Sequence, residues 1–282
     1  MLGSPIAHSL SPVLHTAAYR ALGLADWSYT AIECDEQGLA RLLGSLGPDW
    51  AGLSLTMPLK RAVLPLLDDA EPLVTDVGAA NTVVLRDGRR MGYNTDVAGM
   101  ATALRQAGVA LGGNVVVVGG GATACSALAA LKDTGTWDIT VAVRARQRAE
   151  PLLKVADQVG MRVRLAELGC ETEWRSRWPA VLGSQPWALL ISTVPAAGAA
   201  GVASQVAAGA VTARAVLDVG YEPWPTPLSA AAAAVGSTVI SGYEMLVYQA
   251  AGQFELMTGR RAPVESMRAA GVAELERRRN IC

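Results

Sequence analysis

One lysine among the first hundred residues is a candidate for proton transfer. Lys60 ends the stretch GLSLTMPLK, and the chain holds three lysines against twenty-one arginines. It would lie in the first turn of a helix that begins near Pro58, where the helix dipole disfavours a cation. Lysine, unlike arginine, can release its proton when burial or neighbouring charges lower its pKa. Paired with Asp96 of GYNTDVAG, Lys60 could therefore exchange a proton with an alcohol oxygen.

Two serines in the early loop GSPIAHSLSP, residues 3–12, form a second group of candidates. Ser11 before Pro12 is typical of a helix start, because the hydroxyl accepts a free backbone N–H and proline lacks one. The run that follows has apolar residues at helical spacing and ends at Gly23. Helix capping therefore accounts for Ser11 and leaves Ser9 unexplained.

Capping is also the alternative explanation for the polar residues near the lysine. Thr56 could cap the helix that begins near Pro58. Thr95 or Asp96 could cap a helix that continues through Leu104. Neither cap explains why a lysine is found in the first helical turn.

A glycine-rich turn separates an apolar strand from an Ala/Leu helix in NVVVVGGGATACSALAALKDTG. Residues 119–124 fit the pattern G-x-G-x-x-A. The first glycine permits the tight turn, the second lets the backbone approach a pyrophosphate, and the small third residue lets the helix pack on the strand. Because a second strand follows within about thirty residues, the context predicts dinucleotide binding.

The end of that second strand predicts which dinucleotide is bound. A chain that binds NAD usually offers a carboxylate there to the ribose 2′-hydroxyl. The segment 143–148 reads VRARQR, with three arginines and no acid. The planar fork of arginine suits a 2′-phosphate, so the sequence predicts NADP. The alternative is a solvated basic helix start, which the helix dipole disfavours.

Alternating strands and helices predict a Rossmann-type, doubly wound parallel sheet in the middle of the chain. Further strands are predicted in DITVAV, MRVRLAEL, WALLISTVP and ARAVLDVG. The first hundred residues differ, since NTVVLRDGRRMGYN predicts a hairpin about Asp87-Gly88. With candidate strands in SYTAIEC and AGLSLT and a helix at 36–44, this part predicts an N-terminal α/β domain with a mixed sheet.

The late stretch GYEMLVYQAAGQFELMTG predicts a long amphipathic helix with no strand after it. We expect this helix to return to the N-terminal domain. The sequence therefore predicts a substrate-binding and catalytic domain over residues 1–97 plus 243–282. The NADP-binding domain is expected over residues 98–242.

The composition excludes several other classes of protein. A length of 282 residues with 51% hydrophobic residues allows a large core, and a net charge of −1 gives no basic surplus for nucleic acid. Cys34, Cys125, Cys170 and Cys282 are far apart and only two histidines occur, which argues against a zinc site. Short apolar runs predict no membrane span, and reduced thiols without a signal peptide predict the cytoplasm.

Five separated motifs carry a resemblance to a known family: GSPIAHSLSPVLH, LTMPLK, ANT, NTD and GYEMLVYQA. Together and in this order they resemble shikimate dehydrogenase of aromatic amino acid biosynthesis, and the resemblance runs the length of the chain. It implies a two-domain oxidoreductase that reversibly reduces 3-dehydroshikimate to shikimate with NADPH, on the route to chorismate. We also expect no metal cofactor and a monomer or homodimer.

The resemblance implies roles for individual residues. Lys60 would be the catalytic acid/base and Asp96 its partner. The paired serines, Ser9 and Ser11, would bind the substrate carboxylate. The other substrate contacts would come from Thr56, Asn81, Asp96, Tyr221 and Gln249. NADP would contact Gly119, Gly120, Gly121, Ala122, Thr123, Val143, Arg144, Arg148, Val219 and Gly242.

The sequence departs from the family pattern in three places. Val143 and Ala145 stand where the family usually has asparagine and threonine, which would weaken contacts to the adenine side. Ala122 stands where a glycine is common. The first motif begins at Gly3, so either the start of the chain is misassigned or the first strand is shortened.

Two other functions are alternatives. Quinate or dual quinate/shikimate dehydrogenases resemble the chain overall, but often replace one serine of the S-x-S pair and often prefer NAD. Ser9, Ser11 and the arginines after the second strand favour shikimate and NADP. A non-catalytic, nucleotide-binding sensor of the same fold should have lost Lys60 or Asp96, and both are present.

Overall fold

The computed structural model describes residues 1–109, 112–136, 138–169, 178 and 186–280. The chain forms two compact units. The first runs to Gly99 and resumes at Leu246, and the second spans Met100–Met245. Both units combine helices with strands, which confirms the predicted α/β class.

The helices of the described residues are distributed over both units. In chain order they are α1 (Ser11–Ala21), α2 (Glu36–Ser45), α3 (Leu59–Ala62), α4 (Pro72–Val77), α5 (Thr95–Gln106), α6 (Ala122–Leu131), α7 (Glu150–Gln158), α8 (Ala196–Ala207), α9 (Pro227–Ala234), α10 (Gly242–Thr258) and α11 (Val264–Arg279). Short 3₁₀ turns occupy Leu64–Leu66, Lys132–Thr134 and Arg146–Ala149.

The first unit contains short strands. They are β1 (Leu2–Gly3), β2 (Ile32–Glu33), β3 (Gly52–Ser54), β4 (Asp69–Ala70), β5 (Thr82–Arg86) and β6 (Arg89–Tyr93). Strands β3, β5, β6 and β4 form one sheet in that order, with two antiparallel pairs and one parallel pair. This confirms the predicted mixed sheet. Strand β1 pairs in parallel with β2 and has two residues.

The predicted hairpin joins β5 and β6. Asp87 and Gly88 have φ angles of 52° and 73°. A two-residue turn of this kind needs positive φ at both positions, which an Asp-Gly pair adopts readily. As a result, Asn81 before β5 and Asn94 after β6 lie at the same end of the hairpin, and the Asn81 N–H donates to the Tyr93 carbonyl at 3.0 Å.

Ser11 does not cap α1, so this prediction is wrong. Leu10 occupies the N-cap position and makes no side-chain cap, because the helix begins one residue earlier than a Ser11 cap requires. Ser11 is buried, and its Oγ makes no hydrogen bond with the described residues, although the Tyr29 phenol lies nearby. Ser9 Oγ accepts the Ser11 N–H at 3.3 Å instead. The Ser9 hydroxyl thus accepts the backbone N–H at the start of α1, whereas the Ser11 hydroxyl makes no hydrogen bond with the described residues.

The other capping explanations also fail. The Thr56 carbonyl, not its hydroxyl, accepts the Leu59 N–H at the start of α3, at 2.8 Å. At the start of α5, Asn94 Oδ1 accepts the Asp96 N–H at 3.1 Å. Thr95 lies inside that helix, so the residue before it supplies the bond.

The second unit is a parallel sheet of six strands. They are β7 (Asn114–Val118), β8 (Asp138–Val143), β9 (Val163–Glu167), β10 (Trp187–Ser192), β11 (Ala213–Asp218) and β12 (Thr238–Ser241). Their order is β12-β11-β10-β7-β8-β9, and every neighbouring pair is parallel. The order reverses between β7 and β10, as in doubly wound folds, which confirms the prediction. Strand β12 was not predicted, because its four residues carry too short a pattern.

The C-terminal part contains two helices, of which only α10 was predicted. The chain from Leu246 onward, which includes most of α10, belongs to the first unit. Helix α11 follows and packs against α1. It was not predicted, because only Met267 and Gly271 of its residues are buried and no apolar stripe marks it.

The described ranges hold neither a membrane span nor a metal cluster. Within them, no helix is both long enough and apolar enough to cross a membrane. Nor do they contain a group of three His, Cys, Asp or Glu side chains that could hold a metal. Cys34 and Cys125 are buried and form no disulfide, whereas Cys170 and Cys282 lie outside the described residues.

Candidate active site

Lys60 and Asp96 form an ion pair in the first unit. Lys60 lies in the short helix α3 and Asp96 in the first turn of α5. Lys60 Nζ donates to Asp96 Oδ2 at 2.5 Å, and the two side chains are 15% and 5% exposed. Because little water reaches the pair, solvent screens its attraction less than that of a surface pair. The structure therefore brings together the two residues predicted to exchange a proton.

The hairpin explains why these two side chains meet. Asn81 and Asn94 lie at one end of it, directly before β5 and directly after β6. The Ala80 N–H donates to the Lys60 carbonyl at 2.8 Å, which holds α3 beside that end. Asp96 follows Asn94 by two residues and lies in the first turn of α5. The ANT and NTD motifs and the lysine are thus held side by side by backbone structure.

The Asn81 side chain connects the ion pair to a third predicted residue. Its Nδ2 donates to Asp96 Oδ1 at 2.8 Å, to Thr95 Oγ1 at 2.9 Å and to Gln249 Oε1 at 3.2 Å. An amide nitrogen carries two hydrogens, so these three acceptors share them. Both carboxylate oxygens of Asp96 are therefore occupied, one by an ammonium and one by an amide.

The fold determines which way the Asn81 amide faces. Its Oδ1 accepts the Thr95 N–H at 2.9 Å and the Thr82 hydroxyl at 2.8 Å. A backbone N–H can only donate, so the atom that it meets must be the amide oxygen. The nitrogen is consequently directed at Asp96. Since Asn81 is 1% exposed, no bulk water competes for these bonds.

A buried chain of polar side chains adjoins this amide, and no motif in the sequence predicted it. Gln253 Nε2 donates to Thr82 Oγ1 at 3.1 Å, and Gln253 Oε1 accepts from Ser54 Oγ at 2.9 Å. The Tyr29 hydroxyl donates to Ser54 Oγ at 2.6 Å. One signal was present in the sequence, because Gln253 follows Gln249 by one helical turn and shares its face of α10.

An aromatic stack lies at the far end of this chain. The rings of His15 and Tyr29 are 4.0 Å apart and inclined by 10°. Burial lowers the pKa of His15 to about 3 and raises the pKa of Tyr29. Both rings are therefore neutral at pH 7, and the stack orients the hydroxyl that donates to Ser54.

The early loop is packed against the segment that leads to Lys60. A Cβ at Gly3 would lie 2.3 Å from Thr56 Cγ2, so only glycine permits this approach. Ser9 and Thr56 are half-buried, and Ser11 is buried. Among the described residues, no hydrogen bond joins either serine to another predicted substrate residue.

The glycine turn of the second unit lies between β7 and α6, as predicted. Gly119 has a φ of 117°, which side chains rarely allow. Gly121 is the N-cap of α6, and a Cβ there would meet nothing within 4 Å, which leaves the backbone open to a ligand. A Cβ at Gly120 would lie 2.5 Å from the Arg148 carbonyl. Gly120 therefore lets the turn touch the arginine segment, a requirement that the sequence pattern does not show.

The arginine segment 143–148 begins with the last residue of β8. The side chains of its three arginines are exposed and make no ion pair or hydrogen bond within the described ranges. The Val143 side chain is 3% exposed and belongs to the core. Ala122 and Thr123 begin α6 and are half-buried. The unit thus presents an open helix N-terminus and unpaired cations at neighbouring strand ends.

The remaining predicted residues follow β11 and β12. A Cβ at Gly242 would lie 2.2 Å from the Val219 carbonyl oxygen, so these two predicted cofactor residues are in contact. Asp218 anchors the loop after β11, where its carboxylate accepts from the Thr226 hydroxyl at 2.6 Å. Burial raises the pKa of the Asp218 carboxyl. Tyr221 lies half-buried in this loop.

Comparisons with known proteins agree with this architecture. A family model described as shikimate dehydrogenase substrate binding domain matches residues 1–83, and one described as shikimate 5'-dehydrogenase C-terminal domain matches residues 242–270. The shikimate dehydrogenase (NADP(+)) of Symbiobacterium thermophilum is 35% identical over 285 residues, which cover 98% of this chain and 94% of the relative.

Solved structures give the same result. The crystal structure of Mycobacterium tuberculosis shikimate dehydrogenase is 42% identical, covers 97% of both chains and superposes with a TM-score of 0.82. The Thermus thermophilus shikimate 5-dehydrogenase in complex with NADP(H) and shikimate is 30% identical, with a TM-score of 0.75 and coverage of 96% of this chain and 97% of the other. Sequence and fold agree, and this chain belongs to the shikimate dehydrogenase family.

Proposed function

We propose that the protein reversibly reduces 3-dehydroshikimate to shikimate with NADPH, in the pathway to chorismate and the aromatic amino acids. The observation that carries this proposal is the shielded Lys60–Asp96 pair, whose carboxylate is fixed by the Asn81 amide. Bound NADPH supplies the hydride for the carbonyl carbon. Lys60 Nζ gives a proton to the reacting oxygen during reduction and takes it back during oxidation.

The other residues of the first unit hold the substrate. Ser9 and Ser11 bind the carboxylate, and the Ser11 hydroxyl supports this role because it is buried without a bond. A buried polar atom of this kind costs free energy unless a ligand satisfies it. Thr56, Asn81 and Asp96 hold ring hydroxyls, and Gln249 completes the contacts from this unit. Tyr221, which belongs to the second unit, is a further proposed substrate contact. Such a lining favours a polyhydroxylated carboxylate, since an analogue without a hydroxyl leaves a partner unpaired.

The second unit fits NADP. The open N-cap at Gly121 lets backbone N–H groups of α6 bind the pyrophosphate. Arg144 and Arg148, exposed and without partners among the described residues, bind the 2′-phosphate. The other proposed NADP contacts are Gly119, Gly120, Ala122, Thr123, Val143, Val219 and Gly242.

We also propose that the enzyme works in the cytoplasm. Cys34 and Cys125 support this location because neither forms a disulfide. Thiols stay reduced in that compartment, whereas oxidising compartments favour disulfides.

Initial rates with shikimate and quinate, each with NADP and NAD, test the proposed function. We expect the highest kcat/KM for shikimate with NADP. Comparable rates for quinate with NAD would make the protein a dual quinate/shikimate dehydrogenase. If no pair is turned over while NADP still binds, the protein is a nucleotide-binding sensor and the proposal is wrong.

Arg144→Ala should raise the KM for NADP by about ten- to a hundredfold, because a charge-assisted hydrogen bond to phosphate contributes about 1.5–3 kcal/mol. The KM for NAD, which lacks that phosphate, should stay unchanged. Arg162→Ala is the matched control, because Arg162 is exposed before β9, at the opposite end of the parallel strands. An equal rise in KM for NADP and NAD in Arg144→Ala would show that the arginine segment does not bind the 2′-phosphate.

A further inference from the structure

The last helix of the chain reaches the early loop that carries the paired serines. Arg278, near the end of α11, donates from Nη1 to the His8 carbonyl at 3.0 Å. His8 directly precedes Ser9 in sequence. Helix α11 packs along α1, which the same loop precedes. A residue 270 positions away thus bonds to the backbone beside a proposed substrate residue.

The Arg278 side chain is oriented by a carboxylate one helical turn earlier. Its Nε donates to Glu274 Oε1 at 2.8 Å. Glu274 also accepts two bonds from Arg277, each at 2.7 Å, and the two guanidinium groups lower the pKa of Glu274 to about 2. Arg278 is 21% exposed, whereas Arg277 is 60% exposed. The pairing with Glu274 leaves Arg278 directed at the loop and Arg277 directed at solvent.

The loop itself has few other attachments at this point. Its beginning is bound by Glu33, which accepts from the Ser4 hydroxyl at 2.6 Å and the Ile6 N–H at 3.0 Å. Within the described ranges, the bond from Arg278 is the one that ties residues 7–9 to a distant segment. The Ser9 N–H bonds only locally, to the Ile6 carbonyl at 3.0 Å. The loop is therefore held at its start by Glu33 and next to Ser9 by Arg278.

We propose that Arg278 is a positioning residue that holds the His8 carbonyl so that the loop presents Ser9 to the substrate carboxylate. This inference rests on the proposed function, in which Ser9 binds that carboxylate. Arg278 acts through the loop backbone and touches neither substrate nor cofactor. Losing it should affect substrate binding more than turnover, because the proton-transfer pair is held by separate bonds.

Arg278→Met tests the proposal, with Arg277→Met as the matched control. Both variants remove an arginine that pairs with Glu274, but only the first removes a bond to the loop. We expect Arg278→Met to raise the KM for shikimate about three- to tenfold, with kcat within about twofold and the KM for NADP unchanged. Arg277→Met should leave all three constants unchanged. Arg278→Lys, which keeps a donor, should recover part of the affinity.

Hydrogen exchange followed by mass spectrometry measures the loop without relying on activity. Exchange in a peptide covering residues 3–10 should be faster in Arg278→Met than in Arg277→Met, while peptides from β5 and β6 exchange alike. Unchanged loop exchange and shikimate KM in Arg278→Met would overturn the inference. Equal effects in both variants would also overturn it, since Glu274 pairing alone would then be responsible. If the original protein does not turn over shikimate, the proposed function fails. Faster loop exchange in Arg278→Met would still show that Arg278 holds the loop through the His8 carbonyl.

Discussion

We expect Lys60→Ala to lower the maximal rate of shikimate oxidation by about 10²–10⁴-fold, the usual contribution of a positioned proton-transfer group. The amine that exchanges the proton is lost, and water reaches the remaining side chains poorly because Asp96 is 5% exposed. Shikimate affinity should change little, since hydroxyl and amide groups elsewhere hold the ring. Steady-state kinetics together with shikimate binding by calorimetry would separate the two effects.

Lys60→Arg distinguishes proton transfer from charge. The guanidinium keeps a positive charge beside Asp96, but it cannot give up a proton near neutral pH. We expect this variant to be nearly as slow as Lys60→Ala while it still binds shikimate. An arginine variant that keeps most of the activity would show that the lysine acts electrostatically and that Asp96 or a water carries the proton.

Asn81→Asp should be the second most damaging change, with kcat/KM lowered about a hundredfold at neutral pH. The amide nitrogen now donates to Asp96 Oδ1 at 2.8 Å, and a carboxylate there would accept only. Loss of a hydrogen bond to a charged group contributes about 1.5–3 kcal/mol, and like charges at this distance add repulsion. Initial rates across a pH series would measure the loss.

The pH dependence of stability gives this prediction a second readout. Two adjacent carboxyls share a proton, so the pKa of one of them rises above its unfolded value. A raised pKa contributes stability at low pH that is lost as the pH rises through it. Relative to the original protein, Asn81→Asp should therefore melt closer to normal at about pH 5 than at about pH 8. Asn114→Asp, in the second unit, is the control, and an equal pH dependence there would contradict the explanation.

Helices, strands and turns that carry their own periodicity or turn residues were predicted from the sequence. The glycine turn, the Asp87-Gly88 hairpin and the central strands of the parallel sheet each carry their own periodicity or turn residues, and the structure confirms them. Strand β12 and helix α11 have weak patterns and are held by neighbours, so the sequence did not predict them. The Ser11 cap was wrong because one residue of helix length decides which side chain reaches the free N–H.

In the candidate site, too, residues with a local sequence signal were predicted and contacts between distant residues were not. Lys60 and Asp96 were predicted from residue type and from a family resemblance, and the structure places them in contact, while their roles stay predictions. The bond between Ser54 and Gln253 joins residues 199 positions apart, and no local pattern reports a pairing of that kind. The direction of the Asn81 amide depends on Thr95 and was equally invisible in the sequence.

The unpaired arginines after β8 have a consequence for how this enzyme can evolve. Because the side chains of Arg144, Arg146 and Arg148 make no hydrogen bond or ion pair within the described ranges, replacing them removes no such bond from the fold. In the proposed function, in which Arg144 and Arg148 bind the 2′-phosphate, single substitutions there can therefore change the cofactor preference. In the proposed substrate site, by contrast, Asn81 bonds to Asp96 and Thr95, and Asp96 also pairs with Lys60. Changing the substrate that this site binds would therefore require several simultaneous substitutions. Cofactor preference can therefore evolve by single substitutions, whereas substrate preference cannot.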